Sequence, residues 1–128
     1  MSSKSKVVAI VLLLAVVVTI PVLLLQRRAR LPDDKVSRVA IMSMKSDLRG
    51  LVMAQAASRR LVGRYDTDPE RLGHLSSPGV TPPVIVVQDT GWSATVSHKT
   101  IAGIRCAVGV YNRNPLKRFA KSGEIVCE

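Results

Sequence analysis

KVSRVAIMSMKSDLRGLVMAQAASRRLV, residues 35–62, decides the fold. At a period of 3.6 residues, Ile41, Met44, Leu48, Leu51, Val52, Gln55 and Val62 fall on one side. Arg49 and Arg60 lie well away from that stripe, and Lys45 and Asp47 sit at its two edges. Arg59 falls near the stripe, so its charge must reach outward along its stem. The pattern predicts one long amphipathic helix. Asp33 or Asp34 is placed to cap its start, and Gly63 suits its end.

Downstream, residues 64–83 are rich in turn formers: Asp66, Asp68, Pro69, Gly73, Ser76, Ser77, Pro78, Gly79, Pro82 and Pro83. A loop is expected there, with one short helical turn over Pro69, Glu70, Arg71 and Leu72. Strand patterns follow. Val84 to Gln88 is a β-branched run. Trp92, Ala94, Val96 and His98 alternate with Ser93, Thr95 and Ser97. Ile104, Cys106, Val108 and Val110 alternate with Arg105, Ala107, Gly109 and Tyr111. Asp89-Thr90-Gly91 and Lys99 to Gly103 read as turns. Glu124 to Cys127 reads as a last short strand after a basic loop, Asn112 to Gly123. A long helix followed by an antiparallel β-meander makes an α+β domain.

Upstream, Val7 to Leu25 is VVAIVLLLAVVVTIPVLLL, free of charge. About 19 residues at roughly 1.5 Å each nearly match a hydrocarbon core of about 30 Å. The run exits into Gln26-Arg27-Arg28-Ala29-Arg30 rather than a small-residue cleavage site, which favours an uncleaved signal-anchor. A chain of 128 residues does not readily enclose a helix apolar on every face. The predicted organisation is a transmembrane anchor over residues 1–26, a basic linker over 27–34 with Pro32 interrupting any helix, and a globular domain over 35–128. Lys4 and Lys6 nearly balance Arg27, Arg28 and Arg30, so flanking charge does not set orientation. The only two cysteines, Cys106 and Cys127, do: a pair in a small exported domain implies a disulfide. The N-terminus is therefore expected in the cytoplasm and the domain outside it. A bridge closing about 20 residues stabilises a fold by roughly 3 kcal/mol on the chain-entropy account.

No catalytic constellation, cofactor motif or metal-ligand cluster is found. His74 and His98 are separated and without neighbouring ligands, and His98 at a strand end reads as structural. Asp66, Asp68 and Glu70 lack the glycine and terminal glutamate of a calcium loop and read as solvated. The two cysteines suit a bridge better than a nucleophile. The chain is not expected to be an enzyme. Charge is the remaining signal. The formal net charge is +10, and of 19 Lys and Arg all but Lys4 and Lys6 follow the anchor. They gather at Arg27 to Arg30, at Arg59, Arg60 and Arg64, and at Arg113, Lys117, Arg118 and Lys121. The first group suits anionic lipid. The last, with Tyr111 and Phe119 alongside, is the candidate polyanion-binding site, for DNA or another polyanion.

The order of several segments resembles a known family. Met44-Lys45-Ser46-Asp47-Leu48-Arg49-Gly50-Leu51-Val52, then Ala54-Gln55, then Gly63-Arg64-Tyr65, resembles the "MKSDLRNLVTAQ" and "NGTY" of type IV pilin-like proteins and type II secretion pseudopilins. Gly91 to His98 resembles their "GWSATATH" strand, and Cys106 and Cys127 resemble their disulfide-closed terminal loop. The resemblance implies a hydrophobic N-terminal helix continuing into a domain packed on an antiparallel sheet. It also implies inner-membrane subunits that assemble into a pilus or pseudopilus. Expected partners are membrane lipid, other pilin-like subunits and a secretion or assembly platform. The chain departs from the family at its start. No glycine precedes the apolar run, and the acidic residue just inside it, which pairs with a neighbouring amine in the family, is absent. The alternative expectation is a single-pass, membrane-anchored basic module that captures a polyanion without polymerising.

Overall fold

The computed structural model describes residues 31–128. The anchor over 1–26, the orientation argument that rests on it and the linker residues 27–30 lie outside the described residues. Among the described residues no helix is long and apolar enough to cross a membrane. The chain divides into two units between Val36 and Ser37, and the helix–sheet core lies in the second, Ser37–Glu128.

Helix α1 spans Leu31–Leu61. It reaches back into the stretch expected to be linker, because a proline's φ of about −65° is itself helical. Met44, Leu48, Leu51 and Gln55 are completely buried, with Ile41 and Val52 half-buried beside them. Val62 departs from the expected stripe. It lies past the last helical turn and is exposed, because the chain reverses at Gly63, whose φ is 83°. The helix end is well tied. The Val62 N–H donates to the Ser58 carbonyl at 2.8 Å, the Ser58 hydroxyl to the Arg64 carbonyl at 3.0 Å, and the Arg59 guanidinium to the Gly63 carbonyl. Arg59 thereby keeps its charge outside, and it also stacks 5.6 Å from the centre of the Tyr65 ring.

Four strands follow in a single antiparallel meander: β1 Val84–Val87, β2 Trp92–His98, β3 Ile101–Val110 and β4 Ile125–Cys127. The expected turn from Lys99 to Gly103 is shorter than its composition suggested. β3 already begins at Ile101, which pairs with His98, and the extra residues are taken up as a bulge where the register shifts between Ser97 and His98. The His98 Nδ1, 2.9 Å from the Thr100 hydroxyl, closes the tight turn.

The alternation in β2 and β3 divides the sheet into two faces. Ala94 stands opposite Val108 and Val96 opposite Cys106, and these join Trp92 beneath α1. Met44, Leu48 and Leu51 meet them from the helix, and Val80 completes the core. Full burial of side chains of this size contributes about 1.5–3 kcal/mol each. The loop over residues 64–83 is held by two polar side chains of the same buried helix face. Gln55 donates from Nε2 to the Asp66 carbonyl at 2.6 Å and accepts the Asp66 N–H at 2.9 Å. Asp47, expected at the stripe's edge, is buried and accepts the Ser77 N–H at 2.8 Å and its hydroxyl at 2.5 Å. Residues 69–73 form the expected compact turn, with the His74 N–H reaching the Pro69 carbonyl at 2.9 Å.

Candidate functional site

On the second face of the sheet, away from α1, the segment between β3 and β4 folds back over Ser93 and Gly109, while Val84 and Val86 on β1 stay exposed. That segment is the basic loop singled out by charge. Its path is set by Gly109: a Cβ there would sit 2.5 Å from the Asn112 carbonyl oxygen and 2.8 Å from the Asn114 nitrogen. Only a residue without a side chain lets the loop fold back so closely. The fold-back buries Ser93 and Ala107, which strand alternation alone places on an outward face.

Asn114 is the centre of the loop. It is buried, and its Nδ2 donates to the Ala107 carbonyl at 3.0 Å and the Glu124 carbonyl at 3.1 Å. Its Oδ1 accepts the N–H of Leu116 at 2.9 Å and of Lys117 at 3.3 Å. One amide therefore satisfies backbone groups on β3, on the approach to β4 and in the loop itself. Glu124 is the second fastening. It accepts the Lys121 N–H at 2.8 Å and the Lys117 ammonium at 3.2 Å. Those two contacts, the backbone one first, hold its carboxyl below the usual range. The Tyr111 N–H donates to the Ser122 hydroxyl at 2.9 Å, and Tyr111 adopts a left-handed φ of 50°. The third fastening is covalent. Cys106 and Cys127 stand opposite each other across β3 and β4, with Cα atoms 4.0 Å apart, and are joined as a disulfide.

The four predicted polyanion-binding residues all lie in this loop but in different states. Lys117 is paired with Glu124. Lys121 contributes its backbone to the same carboxylate, and its side chain is exposed. Arg118 lies 5.6 Å from the centre of the Phe119 ring, which projects into solvent at 88% exposure. Arg113 lines an open cleft of about 510 Å³ together with Gln88, Ser93, Asn112, Asn114 and Pro115. Its guanidinium has no ion-pair partner among the described residues.

Two of the acidic residues in the earlier loop, Asp66 and Asp68, make structural contacts. Asp66 takes the Arg71 guanidinium through both oxygens, at 2.7 Å to Oδ1 and 3.0 Å to Oδ2, and accepts the Asp68 N–H. Arg71 first, and then that N–H, bring its carboxyl down to about 2. Asp68 in turn accepts the Glu70 N–H at 2.9 Å. Among the described residues no group of three His, Cys, Asp or Glu could hold a metal ion. The sequence pointed to the cations and the cysteines but not to the roles of Asn114, Asp47 or Gln55, which depend on partners 7 to 30 residues away, nor to the burial of Ser93. Comparison of the chain with protein-family models, curated proteins and solved structures finds no match.

Proposed function

We propose that the chain is a membrane-anchored, pilin-like structural subunit of a type IV pilus or type II secretion-type assembly. The observation that carries this reading is the far side of α1. Val39, Met42 and Met53 fall within about 60° of one another at 100° per residue, opposite the stripe that packs on the sheet. They are 64%, 69% and 74% exposed. Ser46 and Gly50 lie on the same side and leave room for a close neighbour. An apolar stripe interrupted by small residues, and closed by Arg60 at its C-terminal end, suits helix-on-helix packing between copies whose anchors share one bilayer. The apolar run over 7–25, the order of the pilin-like segments and the disulfide-closed terminal loop support the same reading. The domain would stand outside the cytoplasm, on the inner membrane, where its disulfide persists.

The test is photo-crosslinking in membranes from a reactive residue at position 53, with one at 68 as control. Crosslinked copies of the chain, or of another pilin-like subunit, are expected from 53 only. A chain that stays uncrosslinked at 53 and absent from filament and secretion-platform fractions would leave the alternative, an anchored module that does not polymerise.

A further inference from the structure

We propose that the loop between β3 and β4 binds single-stranded nucleic acid. A phosphate would sit in the cleft over Ser93, and bases would stack on Tyr111 and Phe119. This goes beyond the structural role above and does not rest on it.

The cleft is a built site rather than a patch of surface charge. Ser93 forms part of its lining, is only 6% exposed, and has a hydroxyl with no hydrogen-bond partner among the described residues. That hydroxyl is not sealed from solvent, since among the described residues the fully buried side-chain N or O without a partner is His74 Nε2, so the Ser93 hydroxyl opens into the cleft. Around it stand other free donors. Asn112 uses its Oδ1 to accept the Arg113 N–H at 2.8 Å, and its Nδ2 has no partner among the described residues. The Arg113 guanidinium has no partner among the described residues either, and the Gln88 amide completes the rim. A hydroxyl, two amides and a guanidinium around one opening suit an oxyanion, and a guanidinium suits a phosphate in particular.

The rest of the loop decides what carries the phosphate. Tyr111 is 72% exposed and Phe119 88%, and Phe119 has Arg118 beside its ring. An exposed aromatic face beside a cation, as at Phe119, is an arrangement that receives unpaired bases. A duplex keeps its bases stacked inside and would leave both rings unused. A lipid surface would meet the exposed cations and rings but would not reach a recessed serine. Lys121 and Arg118 extend the positive charge along the loop, and Glu124 withdraws only Lys117 from it. The disulfide and Asn114 hold the frame in advance of binding, which lowers the ordering cost.

The experiment uses the full chain in neutral detergent micelles with a labelled oligothymidylate of about 15 nucleotides, within the usual span of such sites. Fluorescence anisotropy is followed from about 50 to 200 mM salt. Binding should weaken steeply with salt and exceed that of a duplex of equal length. Arg113→Gln should flatten the logarithmic salt slope by about 0.7, the value for one single-strand phosphate contact. Phe119→Ala, at a site that holds no part of the fold together, should weaken binding about tenfold. Ser93→Ala should weaken it severalfold while leaving thermal unfolding unchanged. The proposal is overturned by no binding at the lowest salt, by equal binding of duplex with Phe119→Ala unaffected, or by binding to phosphatidylglycerol vesicles alone.

Discussion

Two irregular segments flank the sheet, and they are held in opposite ways. The first, residues 64–83, borrows its order from α1: Gln55 holds Asp66 and Asp47 holds Ser77. Three of its charges are spent internally, with Arg71 paired to Asp66 and close to Asp68. The second, residues 111–124, is fastened from within by Asn114 and Glu124 and closed by the disulfide. Since a neutral amide and a covalent bond carry most of that fastening, three of its four cations remain outside any ion pair among the described residues. One loop uses charge to hold shape. The other relies mainly on a neutral amide and a covalent bond, with one ion pair, and presents most of its charge to solvent.

The largest expected effect breaks the second loop alone. Cys106→Ser with Cys127→Ser removes the closure and should lower stability by about 3 kcal/mol. Hydrogen exchange should accelerate over residues 111–124 more than over 64–83. Uniform acceleration of both segments would mean that the disulfide stabilises the whole sheet rather than its loop. Asn114→Ala comes next. It leaves the Ala107 and Glu124 carbonyls and two loop N–H groups without their partner, at about 2–3 kcal/mol in chemical denaturation. Asn114→Asp separates hydrogen bonding from shape: it keeps the acceptor to Leu116 and Lys117 but loses the donor to both carbonyls, and should recover only part of the loss. Full recovery would show that the packing of this side chain matters and its donors do not.

The first loop should respond to a change in the helix. Gln55→Leu preserves apolar packing against the core but abandons the Asp66 N–H and carbonyl, at about 1–3 kcal/mol. Its signature is faster exchange near Asp66 with the second loop undisturbed. A variant as stable as the parent would mean that water replaces the amide, and that α1 does not order this loop.

Much of the architecture was legible from local pattern. The 3.6 period over residues 35–62 and the alternation in Trp92–His98 depend only on which face meets the core, so helix, strands and their order could be read directly. Gly63 marked the helix end because a left-handed φ has few other occupants. The bulge near His98 was not legible, since Lys99 to Gly103 has turn composition whether or not its last residues pair. Buried polar groups were the larger gap. Asp47 resembles a rim charge and Asn114 a loop residue until their distant partners are known. The cleft over Ser93 was hidden for the same reason: strand alternation assigns that serine to solvent, and only the fold-back permitted by Gly109 buries it.

The smallest expected effect is a pH dependence that should belong mainly to the first loop. The Asp66 carboxyl is held at about 2, against 3.8 when unperturbed, so between those values the folded chain binds fewer protons than the unfolded one. Its contribution to stability is complete above about pH 4 and is lost as pH falls toward 2. Glu124 is shifted in the same direction and adds to the slope from the second loop. Melting temperature, followed by circular dichroism from pH 6 down to pH 2, should decline over the acid range. Asp66→Asn retains an acceptor for the Asp68 N–H but cannot titrate, so it should flatten that decline more than Glu124→Gln does. Arg71 and Asp66 are both solvent-accessible, which keeps the effect modest at physiological salt. If Glu124→Gln flattened the curve more, acid sensitivity would reside in the loop that presents its cations. The contrast between a loop shaped by charge and a loop shaped mainly without it would then have to be redrawn.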